Sequence, residues 1–258
     1  MTRSGSSPPT ATAAATALPP VWTIFQRRAT CGETGVSLDL DAPGHGLAVP
    51  VDGGRLATPA HQLLGIDLRL AGQASAALGP SEQWVRGSDC TAIYEPSDER
   101  ALRATVMWRQ WPAPTTGQPA RFAVWEVVVS AQTALLQSDP TLGVVSQIAR
   151  AGEVVWGRWL PGGMAFSNAS AAADGLLART DVGSSVFVLA HPVEQHRLEA
   201  VSAADTCRVT CSLFSLPVEK GVLLRSRVLA AIGPVTGDTV WAAEVAASFA
   251  ASPPVLST

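Results

Sequence analysis

Apolar and polar residues alternate along most of this 258-residue chain, and the alternation predicts its secondary structure. In Thr206–Phe214, cysteine, valine and leucine at every second position alternate with arginine, threonine and serine. Val222–Ala230 has the same pattern, with Arg225 and Arg227 at polar positions. A period of two is typical of a β-strand that buries one face and exposes the other. Both runs are therefore predicted to be half-buried strands of a sheet.

Similar short runs recur from residue 21 onward, about a dozen in all, with turn-forming residues between them. The clearest are Val36–Asp41, Leu47–Val51, Leu64–Leu70, Cys90–Tyr94, Leu102–Trp111, Arg121–Ser130 and Glu153–Trp159. This length and spacing are typical of an antiparallel sandwich or barrel, whereas βαβ units need helices between the strands. The sequence therefore predicts a mainly β protein, in which the two runs around loop 112–119 form a hairpin.

The alternation weakens over residues 131–152, where Thr133–Gln137 favours a helical turn before an Asp-Pro pair. No change in composition and no internal repeat divides the chain, so a single large antiparallel β-sandwich over residues 21–250 is the simplest interpretation. Residues 1–20 are predicted to be a disordered tail and residues 251–258 a C-terminal tail. Two smaller β-domains, with a boundary in the weak region, are the alternative.

One segment has the period of an α-helix. Trp241, Val245 and Phe249 recur at every fourth position, which places them on one face of a helix. Gly237-Asp238-Thr239 precedes them and can supply an N-cap oxygen, and a Ser-Pro-Pro sequence ends the element. The sequence predicts a C-terminal helix over residues 239–250 whose apolar stripe packs on the sheet.

Charge and composition exclude several classes of function. The net charge of −3 argues against a nucleic-acid-binding protein, which needs a basic surface. No apolar run approaches the roughly 18 residues of a membrane span, and the first twenty residues lack the apolar core of a signal peptide.

Cys207 and Cys211 on one strand are too far apart for a disulfide and have no second ligand pair at zinc-site spacing. A reduced, cytoplasmic protein is predicted.

The sequence contains no phosphate-binding glycine loop, no dinucleotide fingerprint and no serine nucleophile elbow. No cofactor and no metal site are therefore predicted. The charged fraction of 15% is low for a globular protein, and a sparsely charged exterior leaves room for a self-association face. The sequence leaves open whether the protein forms a homo-oligomer.

The strongest candidate for proton transfer is the segment from His191 to His196, in which two histidines enclose a carboxylate. Pro192 disfavours a helix, and on an extended segment Glu194 and His196 share a face about 6.6 Å apart. The imidazole and carboxylate can then act as an acid/base pair. A solvated edge strand is the alternative, and metal-dependent hydrolysis would require another ligand near His191 or His196.

The eight tryptophans and the arginines suggest a ligand class. An indole ring stacks on the apolar face of a sugar, and a neighbouring arginine or acid holds the hydroxyls. Polar positions of several strands, Glu126 among them, would line a concave surface on a large curved sheet. The predicted ligand contacts are Arg225, Arg227, Arg109, Trp111, Arg103 and Trp159. The alternatives are core packing for the tryptophans and a solvated face with cross-strand ion pairs for the arginines.

The strand series, the Trp and Arg content and the closing segment Leu216–Arg227 before a terminal helix resemble the galactose mutarotase-like super-sandwich proteins, a carbohydrate-related class. The resemblance implies a curved sheet that faces a sugar. In that class an Asn-His-Thr context supplies a catalytic histidine, and none of His45, His61, His191 and His196 has that context. No catalytic residue is therefore carried over from the resemblance.

The predicted function is a carbohydrate-binding or carbohydrate-modifying β-sandwich protein, in which Trp and Arg hold the ligand, a saccharide or uronate, and His196 with Glu194 moves protons. No catalytic signature is complete, so binding and catalysis both stay open. The alternative is a non-catalytic structural or protein-interaction module. A pocket that holds a tryptophan, an arginine and a histidine or acid favours the first function, and a flat apolar patch favours the second.

Overall fold

A computed structural model gives the fold, which is mainly β, as the alternation predicts. The structure describes residues 21–51, 60–67, 79–96, 102–111, 123–138, 142–170, 172–192, 197–214 and 218–253. The first strands are β1 (Trp22–Phe25), β2 (Arg28–Cys31), β3 (Val36–Asp39), β4 (Leu47–Pro50), β5 (Ala60–Asp67), β6 (Glu82–Arg86), β7 (Asp89–Tyr94), β8 (Leu102–Trp111) and β9 (Ala123–Thr133). The later elements are β10 (Gln137–Ser138), β11 (Leu142–Ala149), β12 (Ala151–Leu160), β13 (Gly163–Ser167), β14 (Gly175–Thr180), β15 (Ser184–Ala190), β16 (Arg197–Ala203), β17 (Thr206–Leu213), β18 (Val218–Glu219), β19 (Leu223–Pro234) and the helix α1 (Asp238–Ala250). Two short 3₁₀ turns span Gly32–Thr34 and Pro43–His45.

The strands form two large antiparallel sheets. Sheet I has eight strands in the order β1-β2-β3-β4-β5-β11-β17-β16, and sheet II has nine in the order β13-β12-β14-β15-β19-β9-β8-β7-β6. The strands β10 and β18 form a separate two-stranded ribbon. The predicted fold class, a large antiparallel β-sandwich with a C-terminal helix, is confirmed.

A hydrophobic core fills the space between the two sheets and follows the predicted alternation. On β8, Leu102, Ala104, Val106 and Trp108 point into it, while Arg109 lies on the opposite face. The indole Nε1 of Trp108 donates a hydrogen bond to the main-chain oxygen of Leu64 in sheet I, at 3.0 Å. This bond satisfies a buried donor and acceptor at once and joins the sheets through the core.

Hydrogen bonds also join the sheets along one flank, where β1 and β2 meet the β6–β7 hairpin. The main-chain N–H of Val21 donates to Gly87 at 3.1 Å, and the indole of Trp22 donates to the main-chain oxygen of Ser88 at 2.9 Å. Arg27 donates to the main-chain oxygen of Pro80 at 2.7 Å. These bonds fix the two sheet edges to each other on this side of the sandwich.

The helix α1 packs on the outer face of sheet II, the face that points away from sheet I. Trp241, Val245 and Phe249 are buried in a second core with Phe187 and Leu229 of the sheet, as the predicted apolar stripe requires. No helix in the described ranges is long and apolar enough to cross a membrane.

The start of the helix differs from the sequence prediction of a side-chain N-cap. The N-cap residue is Gly237, which has no side chain, and Asp238 lies in the first turn. The Asp238 carboxylate accepts hydrogen bonds from Arg179 Nε at 2.7 Å and from Ser185 Oγ at 2.9 Å. It also accepts the main-chain N–H of Thr239 at 2.8 Å. The same carboxylate therefore satisfies a helix N–H and anchors the helix to β14 and β15.

One prediction from the weaker pattern of residues 131–152 is wrong. The region of Thr133–Gln137 contains the end of β9, a bend and the start of β10 rather than a helical turn, and the following segment is the strand β11. β11 lies between β5 and β17, and Ser146 on its inner face interrupts the apolar alternation. Main-chain hydrogen bonds to both neighbouring strands hold β11 in the sheet. The strand therefore forms without a regular alternation of its own side chains.

The predicted run Leu64–Leu70 has the correct inner face, because Leu64 and Ile66 are buried in the main core, but the strand starts earlier than predicted. The strand β5 begins at Ala60, and both Leu63 and Leu64 are buried. Leu64 has a φ of 58°, and the pairing with β11 shifts register beside it, so two successive side chains turn inward. Residues 68–70 lie outside the described ranges.

Gly233 of β19 is expected to be essential for docking the helix. A Cβ at this position would lie 2.9 Å from Cε2 of Trp241, whose rigid ring packs over the glycine. We expect Gly233→Ala to lower the free energy of unfolding by about 1–3 kcal/mol through overpacking, as measured by urea denaturation. Gly152→Ala is the matched control, because its nearest atom would lie at 3.7 Å. Equal stability of the two variants would contradict this prediction.

Candidate functional site

The predicted ligand-contact residues lie on the outer face of sheet II. They are Arg103, Arg109 and Trp111 on β8, Trp159 on β12, and Arg225 and Arg227 on β19. The alternation predicted this face correctly, because the inward positions of the same strands form the core. Glu194 and His196 lie outside the described residues, so their acid/base role stays a prediction.

The sheet register brings Arg109, Trp111 and Arg227 together around Glu126 of β9. The Glu126 side chain is fully buried, and its Oε2 accepts a hydrogen bond from Trp111 Nε1 at 2.7 Å. Arg227 Nη1 lies 3.6 Å from Oε1, and Arg109 Nη1 lies 3.9 Å from Oε2. We call these four residues and Asp89, which binds Arg109, the Glu126 cluster.

The positive and negative charges of the Glu126 cluster are equal in number. Arg109 donates to both carboxylate oxygens of Asp89, at 2.6 and 2.9 Å, and these hydrogen bonds raise the pKa of the guanidinium. Burial raises the pKa of Glu126, and the Trp111 hydrogen bond with the charges of Arg227 and Arg109 offsets part of that rise. Two cations thus face two carboxylates, which is the condition for keeping charges in a buried site.

Arg227 also fixes the end of the helix to the sheet. Its Nη1 donates to Ser252 Oγ at 3.0 Å and to the main-chain oxygen of Pro253 at 3.1 Å. Its guanidinium lies 5.2 Å from the ring centroid of Phe249, within the range of a cation–π contact. The buried His191 ring meets the same phenylalanine edge-on at 5.0 Å. The internal contacts of Arg227 therefore give it a structural role.

The other predicted contacts are separate from this cluster. Arg225 Nε donates to Ser130 Oγ at 3.0 Å, and Arg103 Nε to Glu95 at 3.0 Å. Trp159 packs against the second core below the helix. Arg103 and Arg225 are partly exposed, so these two remain accessible on the outer face.

An open cleft of about 660 Å³ lies at the flank of the sandwich opposite the β1–β6 contact. One wall is β16, the edge strand of sheet I, from Arg197 to Val201, and the other is Trp156 of β12 with the loop before β14, including Asp174. The main-chain N–H of Ala151 donates to Asp205 at 2.9 Å, which ties β12 to the turn after β16. We call this space the edge cleft.

The edge cleft combines an aromatic ring with exposed charge. Arg197 Nη2 pairs with Glu199 Oε1 at 2.8 Å, and their side chains are 77% and 54% exposed. Asp174 on the other wall accepts the main-chain N–H of Trp159 at 2.8 Å, which fixes the orientation of its carboxylate. The indole of Trp156 is partly buried against the main core. Trp156, Asp174, Arg197 and Glu199 are therefore all among the residues that border one recess. The side chains of Arg197 and Glu199 lie on the outer face of β16, opposite the buried Leu198.

Sequence reasoning missed most of this cleft. Trp156 is one of the eight tryptophans, but Arg197, Glu199 and Asp174 carried no signal as site residues. The charged alternate positions of Arg197 and Glu199 are typical of any exposed strand. Only the placement of β16 at the edge of sheet I brings them close to the loop before β14.

The described part of the chain contains no group of three or more His, Cys, Asp and Glu side chains placed to hold a metal ion. His61 is buried, and its Nδ1 accepts the main-chain N–H of Ala149 at 3.2 Å. Burial lowers the pKa of His61 to about 4. This histidine is therefore neutral near pH 7 and joins β5 to β11.

Comparison with known proteins gives matches among solved structures alone. A scan of protein-family models finds no match to this chain, and a comparison with curated proteins finds none either. One matching structure is described as "Putative kojibiose phosphorylase from human microbiome", with 5% sequence identity and a TM-score of 0.36. The match covers 64% of this chain and 21% of that chain, so this chain spans about a fifth of that protein's length.

Arg227→Met tests the Glu126 cluster. The substitution leaves the Glu126 charge buried without its nearest cation, so we expect the free energy of unfolding to fall by about 3–5 kcal/mol in urea denaturation. Arg225→Met is the matched control on the same strand and face, and its expected loss is below about 1 kcal/mol. The double variant Arg227→Met/Glu126→Gln should regain at least about 1 kcal/mol. No recovery in the double variant would show that the pair is not coupled.

His61 makes the stability depend on pH. The unfolded state takes up a proton near pH 6.5, whereas the folded state resists it down to about pH 4. The contribution of His61 to the free energy of unfolding is therefore present in full above pH 6.5. It is lost as the pH falls from 6.5 to about 4, by about 3 kcal/mol in total. We expect His61→Gln, which keeps an acceptor for Ala149, to flatten this part of the stability profile in urea titrations from pH 7 to 4. An unchanged slope would refute the assignment.

Proposed function

We propose that this protein binds a carbohydrate in the edge cleft. The observation that carries the proposal is the combination of Trp156 with Arg197, Glu199 and Asp174 in one open recess. A sugar has an apolar face of C–H groups and a rim of hydroxyls, which match an indole ring and charged hydrogen-bonding groups respectively. The volume of about 660 Å³ is typical of small-molecule sites.

The main chain of β16 supports the same assignment. This strand pairs with β17 on one side and borders the cleft on the other. An edge strand presents N–H and C=O groups in a regular row, and such groups can donate to and accept from sugar hydroxyls. The polar strand edge and the charged residues that border the cleft together give a ligand directional partners around its rim.

The outer face of sheet II is the second location for the same activity. Arg225 and Arg103 are partly exposed there, and Trp84 on β6 is 41% exposed. Arg109, Trp111 and Arg227 already bind Asp89, Glu126 and the helix end, so we assign them a supporting role. Glu194 and His196 are proposed to move protons if the bound sugar is modified, with His196 directly before Arg197 in the sequence.

A protein-interaction module is the second candidate function. Four exposed aliphatic residues follow β9 or lie at or directly before the start of β19 in the sequence, next to the short strands β10 and β18. They are Leu135, Leu136, Val222 and Leu223. Exposed apolar side chains of this kind favour contact with another protein surface.

A ligand screen followed by two variants tests the proposal. We expect a neutral monosaccharide or disaccharide to raise the melting temperature in a panel that also contains uronic acids and divalent metals, because a ligand of the native state stabilises it. Trp156→Ala is expected to weaken binding about tenfold in calorimetry, and Arg197→Ala, at an exposed position, to weaken it without loss of folding.

Trp84→Ala is the matched tryptophan control, because this residue lies on β6 at the other edge of sheet II. Its affinity for the ligand should equal that of the wild type. Loss of binding in Trp84→Ala or Arg225→Ala, with Trp156→Ala unaffected, would move the site to the outer face. Stabilisation by no compound of the panel would favour the interaction module instead.

A further inference from the structure

We infer that the edge cleft selects neutral and amino sugars over uronic acids, an inference that rests on the proposed carbohydrate function. Its basis is the charge of the cleft. The charged residues among its described lining are two carboxylates, Asp174 and Glu199, and one guanidinium, Arg197. The described lining therefore carries a net negative charge, and an anionic ligand meets repulsion from it.

The only cation of the described lining is already paired. A uronate carboxylate is recognised best by a bidentate arginine, and Arg197 Nη2 lies 2.8 Å from Glu199 Oε1. A uronate that took over this arginine would displace Glu199 and leave two protein carboxylates beside a third negative charge. Binding a uronate thus exchanges one ion pair for another and adds repulsion.

A neutral sugar uses the same groups without this conflict. A hydroxyl can accept an N–H of Arg197 and donate its own proton to Glu199 or Asp174, so the existing ion pair remains in place. An ammonium group of an amino sugar adds attraction to both carboxylates. The fixed orientation of Asp174, held by the main-chain N–H of Trp159 at 2.8 Å, gives that interaction a defined direction.

The expected discrimination is modest because the cleft is open to solvent. One additional unit charge about 6 Å from a ligand charge, at the dielectric constant of water, changes the dissociation constant on the order of threefold. The difference should shrink at high ionic strength, where charges on an exposed surface are screened.

NMR titration of the Trp156 indole N–H with glucose, glucosamine and glucuronate at low salt tests the inference. We expect glucuronate to bind at least about threefold more weakly than glucose, and glucosamine to bind at least as tightly. Glu199→Gln keeps an acceptor for Arg197 and removes one negative charge. It should improve glucuronate binding by about threefold or more and leave glucose within about twofold. Glu244→Gln, an equal charge change at an exposed position of the helix, is the control.

The outcomes separate this inference from the proposed function. Tighter binding of glucuronate than of glucose to the wild-type protein would overturn the selectivity and leave carbohydrate binding intact. The same change of glucuronate affinity in Glu199→Gln and Glu244→Gln would also overturn it, because the effect would then come from net charge. Failure of all three sugars and of disaccharides to bind would refute the proposed function itself.

Discussion

Burial of every second side chain between the two sheets is the constraint on which the other features depend. It fixes which face of each strand is apolar, and the antiparallel register then decides which polar residues meet on the outside. On sheet II this places Glu126 opposite Arg109 on one neighbouring strand and Leu229 on the other. The outer face is consequently divided into an apolar half, covered by the helix, and a charged half, with Glu126 at the boundary.

The Glu126 cluster joins these two halves. A buried carboxylate is costly unless cations and hydrogen bonds compensate it, and here they come from β8 and β19. Arg227 adds the helix end to the same network through Ser252 and Pro253. The arginines that composition suggested as ligand contacts thus include some whose partners are internal, whereas the strongly exposed pair of Arg197 and Glu199 lies at the edge cleft.

Sequence could predict elements whose side chains carry their own period. β8 has the predicted bounds of Leu102–Trp111, and the stripe of Trp241, Val245 and Phe249 is buried as expected. Prediction failed at Thr133–Gln137, where a bend and the start of β10 replace a helical turn, and it missed β11, which its neighbouring strands define, and the first four residues of β5. The edge cleft could not be predicted, because it arises from the position of one strand at the end of a sheet and carries no local pattern.

The bond from Ala151 to Asp205 has a consequence for ligands longer than one sugar unit. It ties β12 to the turn after β16, beyond Val201, so the sheets are held together at that end of the recess. If the proposed carbohydrate binds there, an oligosaccharide meets this closed end and cannot extend between the two sheets in that direction.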